Sequence, residues 1–115
     1  MKNYLEVARE YHSEYADLAD VIPNATSAFG RLVMDATTEG VLSVKTKELI
    51  AFAIGISARC DGCLAHHAQA VFKAGATREE VAEMIAVAIL MGGGPSSVYG
   101  AEALRAYDEF AESKA

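Results

Sequence analysis

Apolar residues Tyr4, Ala8, Tyr11, Tyr15, Leu18 and Ile22 recur at intervals of three and four along the first part of the chain. Glu6, Glu10, Glu14 and Asp17 fall on the opposite side. This rhythm predicts an amphipathic helix over about residues 2–20, packed on a core or on another subunit. His12 flanks the apolar stripe and reads as a surface or interface residue. Pro23-Asn24 opens a second helix, with Ala25, Phe29, Leu32, Val33 and Ala36 expected to face inward and Gly40 to close it. Ser43 is a candidate N-cap for a third helix, running through Ala58. That helix is apolar on nearly every face (Leu49, Ile50, Phe52, Ala53, Ile54, Ile56), which predicts a central position. After a turn at Ala58-Arg59, a fourth helix runs from Cys60 to about Ala74-Gly75. Thr77-Arg78-Glu79-Glu80 has the form of a capping box for a fifth, whose face carries Val81, Met84, Ile85, Ala88 and Ile89. Gly92-Gly93-Gly94-Pro95 ends it, and Pro95 suits the first turn of a last helix reaching about Ser113.

No stretch alternates with period two, so the expected fold is all-α: about six helices in one domain spanning residues 1–115, with a core over about 20–110. The glycine run is not a phosphate loop, because no Gly-Lys-Ser/Thr follows it and no strand precedes it. No apolar run approaches the ~18 residues of a membrane helix. Ten basic against sixteen acidic residues give a net charge of −6, which argues against nucleic acid or anionic lipid as partners. The N-terminus lacks the apolar segment of a secretory signal, and two cysteines three apart make no extracellular disulfide framework. The expectation is a cytoplasmic protein whose cysteines serve redox or metal chemistry. Two helices apolar on most faces are more than a chain of this length covers alone, so a homo-oligomer is expected.

The candidate chemistry is concentrated between Glu48 and His67. At about 100° per residue, a helix from Cys60 puts Cys63 roughly 60° and His67 roughly 20° to the same side of Cys60, with His66 about 120° away. Two thiols and an imidazole then share one face, with His67 four residues beyond Cys63. Both cysteines lie in the first turn, where unpaired N–H groups favour a thiolate, and His67 is placed to take the Cys63 proton directly or through water. Glu48 precedes the Ala58-Arg59 turn by about as much as His67 follows it, so antiparallel helices would bring the two within about 4–5 Å along the axis. Lys45 and Lys47 offer a plainer reading of Glu48 as a surface charge, but a glutamate heading an apolar helix needs a partner. Dithiol–disulfide redox chemistry is the favoured reading. A competing one has Cys60, Cys63 and His67 holding zinc with Glu48 or water, although a second ligand pair is missing.

Glu48, eleven intervening residues, Cys60-x-x-Cys63 and three residues to His67 resemble the active-site pattern of the carboxymuconolactone decarboxylase-like superfamily, in its alkylhydroperoxidase D-like branch. Lys45-Thr46-Lys47-Glu48-Leu49-Ile50 and Gly92-Gly93-Gly94-Pro95 are similar to that family too, and the likeness covers about residues 20–110. The resemblance implies a helical fold assembling as trimers or hexamers. It also implies a thiol-dependent peroxidase or disulfide reductase that needs no bound cofactor. Glu48 and His67 would relay a proton, Cys63 would react with a hydroperoxide, and Cys60 would resolve the product into a disulfide. An external dithiol protein, lipoyl-type in some members, would reduce that disulfide. Position 62 departs from the pattern: it is glycine where the best-known peroxidase members carry another histidine. The superfamily's namesake lyase, acting on a carboxylated lactone, is a further alternative that needs no paired thiols. Helix-end electrostatics alone would make Cys60 the more acidic thiol.

Overall fold

The computed structural model describes residues 1–113, so residues 114 and 115 of the expected domain lie outside the described residues. Six helices follow in order: α1 (Tyr4–Val21), α2 (Pro23–Thr37), α3 (Val44–Ser57), α4 (Asp61–Lys73), α5 (Arg78–Gly92) and α6 (Gly94–Ser113). The sequence dictates their starts. Asn3 caps α1 by accepting from the Leu5 and Glu6 amides, and Ser43 caps α3 through the Thr46 amide at 3.1 Å. At α5, Thr77 accepts from the Glu80 amide at 3.1 Å while Glu80 accepts from the Thr77 amide at 2.8 Å, completing the capping box.

Helices α3 to α6 pack around the core, and α1 lies across α4 and α6. Phe52 and Ile56 from α3, Leu64 and Val71 from α4, Val81 from α5 and Phe110 from α6 are essentially inaccessible to solvent. Alanines at 65, 68, 88, 103 and 106 fill the remaining core positions of α4, α5 and α6. Between α5 and α6, a Cβ on Gly100 would lie 2.7 Å from Cγ2 of Ile85, so only glycine permits this approach. Tyr4 anchors α1: its ring is buried, and its hydroxyl donates to Glu102 at 2.6 Å. Burial, then that hydrogen bond, holds the phenol well above the ordinary tyrosine pKa and therefore protonated.

Three expectations need correction. Helix α2 ends at Thr37 rather than at Gly40, and Lys47 donates to the carbonyl of Thr38 at 2.7 Å just beyond its end. Its face is also not turned into the core: Phe29 and Leu32 are 51% and 60% exposed, Ala25 and Ala36 are exposed, and Val33 is half-buried. Among the described residues the helix packs only against α1 and α3, which leave most of its apolar face uncovered. Periodicity identifies a face that wants burial without identifying what buries it. Likewise α3 is central on one side only, with Phe52, Gly55 and Ile56 buried but Ile50 and Ile54 exposed.

Candidate active site

The turn between α3 and α4 comprises Ala58, Arg59 and Cys60 and fixes the last of them. The Arg59 amide donates to the carbonyl of Ile56 at 3.1 Å and the Cys60 amide to that of Gly55 at 3.2 Å, the paired bonds of a Schellman cap. Arg59 takes the left-handed position at φ 56°, where glycine is the usual occupant. Cys60 therefore stands outside the helix as the N-cap of α4, rather than as its first helical residue. Its sulfur accepts from the Cys63 amide at 3.1 Å, one of the donors that a helix start leaves free.

Cys60 and Cys63 are joined by a disulfide, with Cα atoms 5.1 Å apart. Both are half-buried, so exposure does not distinguish them. Packing from α3 holds Cys63 in place. Gly55 is buried opposite it, and a Cβ there would come within 3.1 Å of the Cys63 Cβ. One turn further along α4, Nδ1 of His67 lies 2.7 Å from Oε1 of Glu48, with no room for an intervening water. The glutamate side chain is 9% exposed and the histidine 19%. A carboxylate oxygen only accepts, so Nδ1 is the donor to Glu48 and Nε2 is the ring nitrogen left free of that bond. His67 shares α4 with Cys63, and Glu48 reaches it from α3.

Cys60, Cys63 and His67 line one cavity of about 350 Å³, walled by Tyr11 and Tyr15 from α1 and by Phe29, Gly30 and Val33 from α2. His66 completes the wall, its ring edge-on to His67 with centroids 4.8 Å apart. More than a third of its surface reaches solvent, yet desolvation by packed neighbours, followed by repulsion from His67, lowers its pKa from the ordinary 6.5. Asp61, between the cysteines, pairs with Lys2 at 2.6 Å and ties the N-terminus to this loop. Among the described residues, no group of three His, Cys, Asp or Glu side chains is arranged to hold a metal ion, and the two sulfurs are spent on each other.

The sequence matches the profile of the carboxymuconolactone decarboxylase family over residues 23–106. The chain belongs to that family. An uncharacterised protein of Cupriavidus necator is 38% identical over 99 residues, covering 86% of this chain and 88% of its own. The crystal structure of an apo carboxymuconolactone decarboxylase family protein from Legionella pneumophila is similar at a TM-score of 0.90 and 40% identity, covering 93% of this chain and 96% of that one. A second crystal structure, of a putative carboxymuconolactone decarboxylase from Burkholderia xenovorans, shares the fold at a TM-score of 0.76 and 20% identity, covering 96% of each chain.

Carboxymuconolactone decarboxylase family membership agrees with the alkylhydroperoxidase D-like resemblance and points to an enzyme. Glu48, Cys60, Cys63 and His67, chosen from spacing and resemblance, are brought together by the α3–α4 turn. The cavity walls were not foreseen. Tyr11 and Tyr15 are at helical spacing and read as packing residues, and Phe29 reads as core. Gly55 gives no signal in sequence, because its contact with Cys63 depends on how α3 and α4 register.

Proposed function

We propose that this protein is a thiol-dependent peroxidase that uses Cys60 and Cys63 as a reversible dithiol–disulfide couple. The observation that carries the reading is a half-buried disulfide sharing one cavity with His67, itself held by Glu48 at 2.7 Å. In the reduced protein, His67 accepts the Cys63 proton at Nε2, and Glu48 stabilises the imidazolium through Nδ1–H. The Cys63 thiolate attacks a hydroperoxide, breaking the O–O bond. The sulfur becomes a sulfenic acid, and the alkoxide leaves as alcohol with the proton returned from His67. The Cys60 thiol then displaces water from that sulfenic acid to close the disulfide. An external dithiol protein reopens it by exchange: it is oxidised to its own disulfide and returns two thiols. Cys60, at the helix start with its sulfur on the Cys63 amide, is the better leaving thiolate, because helix-end donors stabilise charge there, so the incoming dithiol attacks Cys63 and Cys60 departs. A cytoplasmic setting and assembly into trimers or hexamers belong to the same reading.

The lyase for which the family is named requires recognition of a carboxylated lactone. Neither lysine nor arginine lines the cavity beside the sulfurs, which weighs against an anionic substrate there. The test is to treat reduced protein with one equivalent of hydroperoxide and measure free thiols and intact mass. The expected result is loss of both thiols and a mass decrease of two hydrogens. Cys63→Ser is expected to react with nothing, and Cys60→Ser to stop at a sulfenic acid after one turnover. Unreactive thiols alongside lactone turnover would replace this reading with the lyase.

A further inference from the structure

Five aromatic rings surround the cavity beside the disulfide: Tyr11, Tyr15, Phe29, His66 and His67. Tyr11 and Tyr15 are tilted at 53° with centroids 5.6 Å apart, and the two histidines are perpendicular. Such walls offer faces and edges to another ring, a geometry aromatic groups favour over simple apolar contact. The cavity's volume, about 350 Å³, lies near the lower end for small-molecule sites, far larger than hydrogen peroxide needs. Its lining carries no ammonium or guanidinium group to balance an anion.

Gly30 is the informative wall residue. It sits within α2, where glycine weakens a helix relative to alanine, and its φ is not positive, so the backbone does not require it. Packing does not require it either, since a Cβ there would meet nothing within 4 Å. The missing side chain leaves open space at the cavity wall. We propose that Gly30 is a specificity-determining position that keeps this cavity open for a neutral hydroperoxide carrying a flat aromatic body. This deepens the peroxidase reading and rests on it. The aromatic body stacks against the walls from α1 and α2 while the O–O bond faces Cys63. Two-electron oxidation of that sulfur then releases the aryl-substituted alcohol into the same cavity.

The test compares single-turnover oxidation of the reduced protein by cumene hydroperoxide, a linear alkyl hydroperoxide and hydrogen peroxide. In wild type the aryl substrate is expected to react at least tenfold faster than the other two. In Gly30→Leu that advantage should fall by at least tenfold, the aryl rate dropping much further than the hydrogen peroxide rate. The melting temperature should stay level or rise, because leucine is the better helix former. Equal rates for the three oxidants in wild type, or a parallel fall or no change in the variant, would overturn the assignment. A second measurement needs no redox chemistry: binding of 2-phenyl-2-propanol to the disulfide form, followed by NMR shifts of the tyrosine and histidine rings. Wild type should bind it at least tenfold more tightly than Gly30→Leu, and benzoate should not compete. Alcohol binding with no oxidation by any hydroperoxide would overturn the peroxidase reading and the hydroperoxide as ligand. Oxidation without aryl preference or alcohol binding would overturn only the role given to Gly30 and the cavity.

Discussion

At the residue scale, the chemistry depends on His67 having only one free ring nitrogen. Its Nδ1 is committed to Glu48, so removal of the imidazole leaves a buried carboxylate without its partner and, in the proposed mechanism, the thiol without its base. His67→Ala should slow hydroperoxide reduction by about 10²- to 10³-fold, within the usual range for losing a general base, as measured by single-turnover thiol loss. His66 makes a prediction of a different kind. Its pKa is lowered in the folded chain, so the unfolded chain binds more protons as pH falls through the ordinary value of 6.5. Stability should therefore decline below about pH 6.5 and recover above it. The loss should be small because the ring is partly solvated. His66→Gln should flatten that part of the profile in melting curves recorded between pH 5 and 8; an unchanged slope would contradict the assignment. These residues were legible because their spacing is short-range and helical. Glu48 was legible only because a charge at the head of an apolar helix demands a partner.

At the element scale, the α3–α4 hairpin is the unit that assembles the site. Its turn was readable at Ala58-Arg59, but the register of the two helices was not, and register decides that Gly55 lies opposite Cys63. A methyl group there sits 3.1 Å from the Cys63 Cβ, closer than ordinary contact, so α4 must shift by a few tenths of an ångström. Gly55→Ala should cost about 1–3 kcal/mol in urea denaturation, as overpacking of a buried position does. The same change should alter the thiol–disulfide equilibrium measured against glutathione. A full-stability variant with a wild-type redox equilibrium would show that the close packing has slack. Helix α2 teaches the complementary lesson. Its periodicity correctly predicts a helix, yet Phe29 and Val33 line the cavity rather than the core, while Leu32 is largely exposed. An apolar face satisfies the same pattern whether its cover is a core, a ligand or another chain.

For the whole molecule, the described residues leave a broad apolar surface. Ile54 from α3, Val87, Leu90 and Met91 from α5, and Val98 from α6 are each 59% or more exposed. Scattered exposed aliphatics are ordinary, but this many on neighbouring helices favours burial against further copies of the chain. The chain mass is 12.2 kDa, and sedimentation at micromolar concentration should return three or six times that value. Leu90→Glu should shift the distribution toward monomer, since it places a charge where an apolar contact is expected. A wild-type monomer would contradict the assembly. No helix among the described residues is long and apolar enough to cross a membrane. The helical class, the helix count and nearly all boundaries followed from local signals. What covers the outer faces is a property of surfaces meeting, which a single chain's pattern does not encode.

The most direct test of the account follows the rate of Cys63 alkylation with pH in the reduced Cys60→Ser protein, with and without Glu48→Gln. If Glu48 and His67 ionise this sulfur together, the curve should rise well below the free-cysteine value of about 8.5, and Glu48→Gln should move its midpoint upward by about one unit or more. Superimposable curves in the two proteins would mean that the carboxylate–imidazole pair does not ionise the thiol, and the proposed mechanism would fail.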